Sequence, residues 1–399
     1  MTSVPDIKVS AERAQARERL PFIVPLLALG VFLMCTTEYI VAGLLEEMSG
    51  DYGVSLSQAG LLITAFAVGM IVGAPVMAIL TLRLPRRATL VLALLVFAAG
   101  HALAALTSSF TIALLARLIT AFATGTFWSV ASVVATVAAG SAASTRALGI
   151  MLSGVGLAAV AGVPLGSFVG QQVGWRGAFW SLAVLATIAA AVIGWFAPSD
   201  EHREPPSARA ELRALRTART WLLVAVTALV TGAYMAAFSY ISPLLTERTG
   251  VPSQAVPLVL VVFGVGSLIG TNLGGRFGDG QPLRSLLASA TAVVVVLVLL
   301  MLLARFSVAT IVLVGLLGVA GMSVPPVATG LAVRYAPSAP TLAAALAVAS
   351  FNSGIALSSW IAGIALNSGL TTIGPALVGV VMAALGILPL ALLTRRRAV

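Results

Sequence analysis

Hydrophobic residues run through this chain in blocks of twenty or more, each followed by a short polar segment. A block of about 20 apolar residues is what a helix needs to cross a bilayer. Twelve such blocks can be counted: about 21–45, 57–80, 88–107, 110–137, 146–172 and 177–197, then about 220–246, 253–275, 283–304, 306–333, 340–368 and 372–394. Between the sixth and seventh lies the longest and most charged interior segment, PSDEHREPPSARAELRALRTAR, with Pro205 and Pro206 at its centre. The pattern predicts an all-α polytopic membrane protein of twelve transmembrane helices in two six-helix bundles. Residues 1–20 form a tail, 21–197 the first bundle, 198–219 a linker, 220–394 the second bundle and 395–399 a second tail.

Composition supports that reading and adds an orientation. Apolar residues make up 59% of the 399 and charged residues only 9%, outside the range of soluble globular chains. The net charge of +10 follows topology rather than a nucleic-acid partner, because the basic residues sit in the segments between apolar blocks. With a cytoplasmic N-terminus, Arg176, Arg248 and Arg305 lie outside and Arg117 lies within a block; every other Lys and Arg is inside. Short cytoplasmic loops retain positive charge, so both termini are expected in the cytoplasm and the protein in the cell (inner or plasma) membrane. The first apolar run is too long for a signal-peptide core.

The halves echo one another. FAVGMIVG at 66–73 matches FGVGSLIG at 263–270, and Tyr39-Ile40 matches Tyr240-Ile241. A parallel duplication with a site near the midplane between the halves is a transporter architecture.

Within this frame one carboxylate stands out. Glu38, in VFLMCTTEYIVAGLL at 31–45, is the only acidic residue deep inside a block. A charge at the bilayer centre costs about 2.5–3.5 kcal/mol on insertion scales, which marks it as a functional candidate. Glu46, Glu47 and Asp51 are assigned to a solvated first outer loop and His202 to the solvated linker, while His101 reads as a bonded structural residue. Cys35 is the single cysteine, so neither an intrachain disulfide nor a thiolate metal site can form. No phosphate loop, metal-ligand spacing or nucleophile constellation is present, so neither ATP-driven transport nor enzymatic activity has support.

Four motifs resemble the major facilitator superfamily, specifically its twelve-helix drug:proton antiporter branch. The first is AILTLRLPRR between the second and third blocks, which keeps Arg83, Arg86 and Arg87 but has Ala78, Leu82 and Pro85 where the family usually has glycine, aspartate and glycine. The matching loop of the second half, GGRFGDG, keeps Arg276, Gly278 and Asp279. The second is ARLITAFATG, with Arg117, Ala121 and Gly125 on one helical face; either a buried guanidinium or one snorkelling from the outer end fits it. The third is the glycine ridge Gly162, Gly166, Gly170 and Gly174 around Pro164 in the fifth block, similar to the antiporter motif and expected at the interface between the halves. GWRGAFW at 174–180 and FNSGIALSSWIAG at 351–363 make the fourth.

The resemblance implies a major facilitator fold and secondary active efflux of a small amphiphilic molecule, of chloramphenicol type, in exchange for protons. Alternatives are sugar or nucleoside efflux, or a non-transporting membrane sensor or assembly protein. No cofactor is implied and the proton gradient supplies the energy. The expected partners are substrate, protons and lipid, with no nucleic acid, and the expected state is a monomer. Glu38 and Arg117 are the expected coupling residues; at 1.5 Å per residue both lie about 10 Å below the outer surface. Tyr39, Phe127, Trp128, Tyr240, Asn352 and Ser353 are the expected cavity residues. Arg83, Arg86, Arg87, Gly162, Pro164, Gly166, Arg276 and Asp279 are the expected conformational motifs.

Overall fold

A computed structural model describes residues 20–81, 84–197, 217–336 and 340–395; within them the side chains at positions 78, 141–146, 279, 340, 341 and 395 are outside the description. Arg83, the terminal tails, nearly all of the linker and the Asp279 side chain therefore lie outside the described residues. The described residues contain twelve helices long and apolar enough to cross a membrane and no strand. They are α1 (Ile23–Tyr52), α2 (Leu56–Leu80), α3 (Arg86–Leu106), α4 (Phe110–Gly140), α5 (Ala147–Val173), α6 (Trp175–Phe196), α7 (Ala218–Ser239), α8 (Val256–Gly280), α9 (Pro282–Leu303), α10 (Ser307–Tyr335), α11 (Pro340–Leu366) and α12 (Gly374–Arg395).

Local chemistry explains the breaks. Gly53 takes the left-handed conformation (φ 64°) that ends α1, and Ser55 caps α2 reciprocally with Gln58. Gly140 (φ 70°, ψ 170°) separates α4 from α5. α10 jogs at Ser323, ahead of Pro325 and Pro326, which cannot donate backbone hydrogen bonds. α5 contains a π-helical stretch at Ala158–Gly162, immediately before Pro164. The outward faces carry large apolar side chains, among them Leu92, Val184, Ile188, Leu302 and Val308, as expected where lipid is the solvent.

Two sequence assignments change. α1 continues to Tyr52, so Glu46, Glu47 and Asp51 are helical rather than part of a solvated loop; Glu46 and Asp51 bond to residues far along the chain, described below. GGRFGDG is the last stretch of α8 rather than a loop, because Gly274 lets the helix close against the Ser323 carbonyl of α10 and Gly278 against Val327.

The internal repeat is visible in the packing. Gly69 and Gly73 of α2 close on Leu118, Ala121 and Phe122 of α4, whereas their counterparts Gly266 and Gly270 of α8 close on Gly315 and Val319 of α10. The halves meet along two related seams, α2 against α11 and α5 against α8.

These approaches leave no space for a side chain. A Cβ at Gly266 runs into the Gly315 carbonyl, whereas one at Gly275 meets nothing within 4 Å. Gly266→Ala should lower thermal stability in detergent by an overpacking cost of about 1–3 kcal/mol, with Gly275→Ala at or above wild type; equal melting temperatures would show that the α8–α10 contact gives way.

Candidate functional site

Arg117 is 1% exposed and turns into the first half instead of snorkelling to an end. Its Nε donates to the Leu62 carbonyl of α2 at 3.2 Å, and Nη1 donates to Thr37 Oγ1 of α1 at 2.9 Å. The guanidinium carbon lies 4.4 Å from the Phe66 ring centroid, on its π-face. Nη2 is buried without a hydrogen-bond partner. His101 of α3, 1% exposed, continues the cluster: Nε2 is 2.6 Å from Thr37 Oγ1 and Nδ1 is 2.8 Å from the Phe97 carbonyl oxygen. Sequence reasoning kept His101 apart from Arg117, because residues on α1, α3 and α4 meet only through packing.

Glu38, the neighbour of Thr37, lies between the halves. Its carboxylate acts electrostatically on Arg117 of α4 and on Tyr39 and Tyr234, the latter from α7 in the second half. Glu38 and Arg117 share one electrostatic environment, yet they form no ion pair within 4.0 Å.

Tyr39, next in sequence to Glu38, lines a narrow gap between the halves. Its walls are Tyr39 of α1, Ala159 and Val163 of α5, Tyr234 and Phe238 of α7, Leu260, Phe263 and Ser267 of α8, and Met322 of α10. Phe238 and Phe263 stack with centroids 4.1 Å apart, and Tyr39 meets Phe238 edge to face at 6.2 Å. In this conformation the gap is nearly closed, with room for about one water molecule. The π-helical stretch of α5 forms part of one wall through Ala159.

Of the six cavity residues expected from sequence, only Tyr39 lines this gap. Phe127 is fully buried under α1, filling the space left by Gly30, and Trp128 is half-buried against the apolar core of the first half. Tyr240 tucks against Gly60 of α2 and donates to the Ser359 carbonyl at 2.9 Å. Asn352 and Ser353 bond to carbonyls of their own helix, Val348 and Ala349, leaving Asn352 Oδ1 unpartnered. Tyr234, Phe238 and Phe263 were missed; Phe263 opens the repeated FGVGSLIG motif, and that was the available signal.

The conformational motifs also shift. Gly162, Gly166 and Gly170 face Thr36, Ile40 and Leu44 of α1, so the ridge packs within the first half. The expectation that it lies between the halves is corrected: the opposite face of α5, at Gly156 and Ala159, meets Leu268 and Gly264 of α8. A four-residue repeat keeps a single face, and here α1 of the same half covers that face. Pro164 is buried at the start of the α-helical segment after the π-turn. Arg86 and Arg87 begin α3, and Arg276 is exposed near the end of α8.

Hydrogen bonds between the halves lie at the end opposite the termini and, for the Thr64–Ser359 pair, about 10 Å below it. Glu46 of α1 accepts from Ser242 at 2.9 Å and from Thr246 at 2.8 Å, both just beyond α7; Gln171 donates to the Ser253 carbonyl at 2.6 Å; Thr64 of α2 and Ser359 of α11 are 2.7 Å apart. Within the first half, Asp51 accepts from Trp175 Nε1 at 2.8 Å and pairs with Arg176, which also donates to the Thr107 carbonyl.

The model of the family described as Major Facilitator Superfamily matches residues 27–307. A chloramphenicol resistance protein of Streptomyces lividans is 36% identical, over 84% of this chain and 86% of that protein. The inner membrane transport protein YdhP of Escherichia coli (strain K12) is 31% identical over 82% and 84%. Among solved structures, a bacterial homolog of the human lysosomal transporter Spinster, in an inward-facing and occupied conformation, superposes with a TM-score of 0.70 at 17% identity, covering 94% of this chain and 96% of that one.

The two bonds on Glu46 give a direct test of how this end is held. Glu46→Ala removes both and should speed modification of a cysteine placed at Phe238 by an impermeant maleimide added from that side. Unchanged labelling would mean that other contacts keep the halves together.

Proposed function

Because the chain belongs to the major facilitator superfamily, whose members carry small molecules across membranes, we propose that it exports a small amphiphilic, ring-bearing molecule in exchange for protons. The carrying observation is the position of Glu38: a carboxylate without an ion-pair partner, within electrostatic reach of a buried arginine and next in sequence to Tyr39, which lines an aromatic gap between the halves. A change in the distance from Glu38 to Arg117 changes how readily the carboxyl keeps its proton, since a nearby cation favours the charged form. Rocking of the halves supplies such a change, and Glu38 is the proton carrier in this reading.

The gap argues for the substrate class. Its walls are rings, aliphatic side chains and a thioether, with two phenol hydroxyls and Ser267 as their only side-chain polar groups. That lining suits a neutral lipophilic ring and offers too few hydrogen-bonding groups for a sugar or nucleoside. The 36% identical chloramphenicol resistance protein points to the phenicols as the first compounds to test. In this reading the positive-inside rule puts both termini on the cytoplasmic side of the cell membrane, and the end closed by Glu46 is the outer one. Each pH unit of gradient supplies about 1.4 kcal/mol per proton, and 100 mV of membrane potential about 2.3 kcal/mol per charge. One proton per cycle is enough to drive export. The two bundles, bounded at 197 and 220, act as the rocking units, with the arginine-bearing segments at their cytoplasmic ends as conformational contacts.

In inverted vesicles followed with a pH-sensitive dye, Glu38→Gln should abolish substrate-dependent proton movement at normal expression; wild-type signals in that variant would sink the assignment. An efflux-deficient host carrying the chain should gain resistance to chloramphenicol, and Arg117→Ala should remove it.

A further inference from the structure

The proposed coupling pair leaves a buried histidine, His101, without a role. Donor rules settle the direction of every bond around it. The Phe97 carbonyl can only accept, so Nδ1 carries the proton; a guanidinium can only donate, so the Thr37 oxygen accepts from Arg117. In a neutral ring Nε2 is then bare and accepts the Thr37 hydroxyl proton. The chain runs from Arg117 to Thr37 to His101 to Phe97, and one tautomer alone satisfies it. A second proton on His101 would aim two N–H groups at Thr37 and strand its hydroxyl proton.

Thr36 shows what a threonine does here by default: its hydroxyl donates back to the Phe32 carbonyl of its own helix at 2.7 Å. Thr37 is drawn away from its own helix toward α3, and its lone pairs are thereby presented to Arg117. The imidazole that draws it is fixed by the Phe97 ring, with centroids 4.1 Å apart, and the Phe179 ring of α6 at 5.3 Å. Among the described residues, the groups facing His101 are Thr37 of α1, Arg117 of α4 and these two rings, and Arg117 is the charged group acting on it.

We propose that His101 is a positioning residue for proton coupling: neutral and protonated on Nδ1, it acts through Thr37 to hold Arg117 with Nη2 uncommitted, turned to the environment it shares with Glu38. The inference rests on Glu38 and Arg117 being the coupling pair. A histidine serving only as filler would be replaceable by a ring of similar size. A positioning histidine would be replaceable only by a group that accepts from Thr37.

The test uses the full-length protein and has two arms. In proteoliposomes with a pH gradient and chloramphenicol as probe, His101→Phe and Thr37→Val should lower proton-driven uptake about ten-fold more than substrate exchange, the scale of one lost hydrogen bond to a charged group. They should also move the pH profile, while Thr37→Ser and His101→Gln recover most of the coupling. Wild-type coupling and pH profile in His101→Phe would overturn the proposal. Proton-driven uptake persisting in Glu38→Gln would overturn the coupling pair and the proposal with it, and is recognised by that variant alone. If wild-type protein does not move chloramphenicol, the substrate reading fails and the second arm decides. With two histidines in the chain, ring nitrogen-15 spectra of labelled protein resolve His101: a neutral ring protonated on Nδ1, its Nε2 signal shifted by Thr37→Val, is expected, and protonation on Nε2 would overturn the proposal.

Discussion

A guanidinium enclosed in an apolar bundle constrains everything around it. Arg117 cannot shed its charge, so each neighbouring helix has to contribute something: α2 a main-chain carbonyl and the face of Phe66, α1 the Thr37 hydroxyl, and α3, through His101, the group that orients that hydroxyl. A mid-helix carbonyl already engaged in its own helix can accept this second bond only if the helices lie close. Ala116 and Ala121, both fully buried, and the Gly69 contact at Ala121 provide that closeness. The charge and the small residues around it are therefore one feature: without the glycine and alanine surfaces the acceptors would be out of reach, and the arginine would be an unsatisfied buried charge.

The same close packing leaves the contacts between the halves free to differ in kind. Inside each half, backbones touch along glycines. Between the halves, the seams combine such contacts at α5 and α8 with small polar locks, Glu46 on Ser242 and Thr246, and Thr64 on Ser359. Hydroxyl and carboxylate bonds at a membrane surface can be exchanged for water at little net cost, whereas backbone-to-backbone contacts in the bundle interior have no such substitute. Units that stay rigid, joined by bonds that water can replace, are what rocking about a central site requires.

How far the sequence reaches depends on whether a feature is local. Block length and charge placement are local properties, and they predicted twelve spans whose ends fall within a few residues of the observed helices at most positions. One of the two largest departures, α1 running on to Tyr52, arises because Glu46 and Asp51 find partners on residues far along the chain, Ser242, Thr246, Trp175 and Arg176. Glu38 and Arg117 were legible because a charge in an apolar block is conspicuous by itself. His101, Tyr234 and Phe238 were not, since a lone histidine or aromatic in a span looks the same whether it packs against lipid, core or gap. The glycine ridge of α5 was legible as a packing face, but its partner was not, because periodicity identifies a face and not what covers it.

The repeat shows how the two halves came to differ. Gly69 packs against Leu118 and Gly73 against Phe122, and the matched glycines of the second half, Gly266 and Gly270, pack against Gly315 and Val319 at the same spacing. By that correspondence Arg117 falls on Val314 of α10, fully buried and apolar, and Phe66 falls on Phe263. In the first half the phenylalanine supports a cation. In the second, with no cation to support, the equivalent ring stacks on Phe238 and lines the gap. One packing scaffold thus carries charge on one side and apolar ring surface on the other. Under the proposed coupling, the division keeps the charge that responds to protons out of the surface that meets a lipophilic substrate. Glu38 is the carboxylate whose charge reaches both, Arg117 on one side and Tyr39 and Tyr234 on the other.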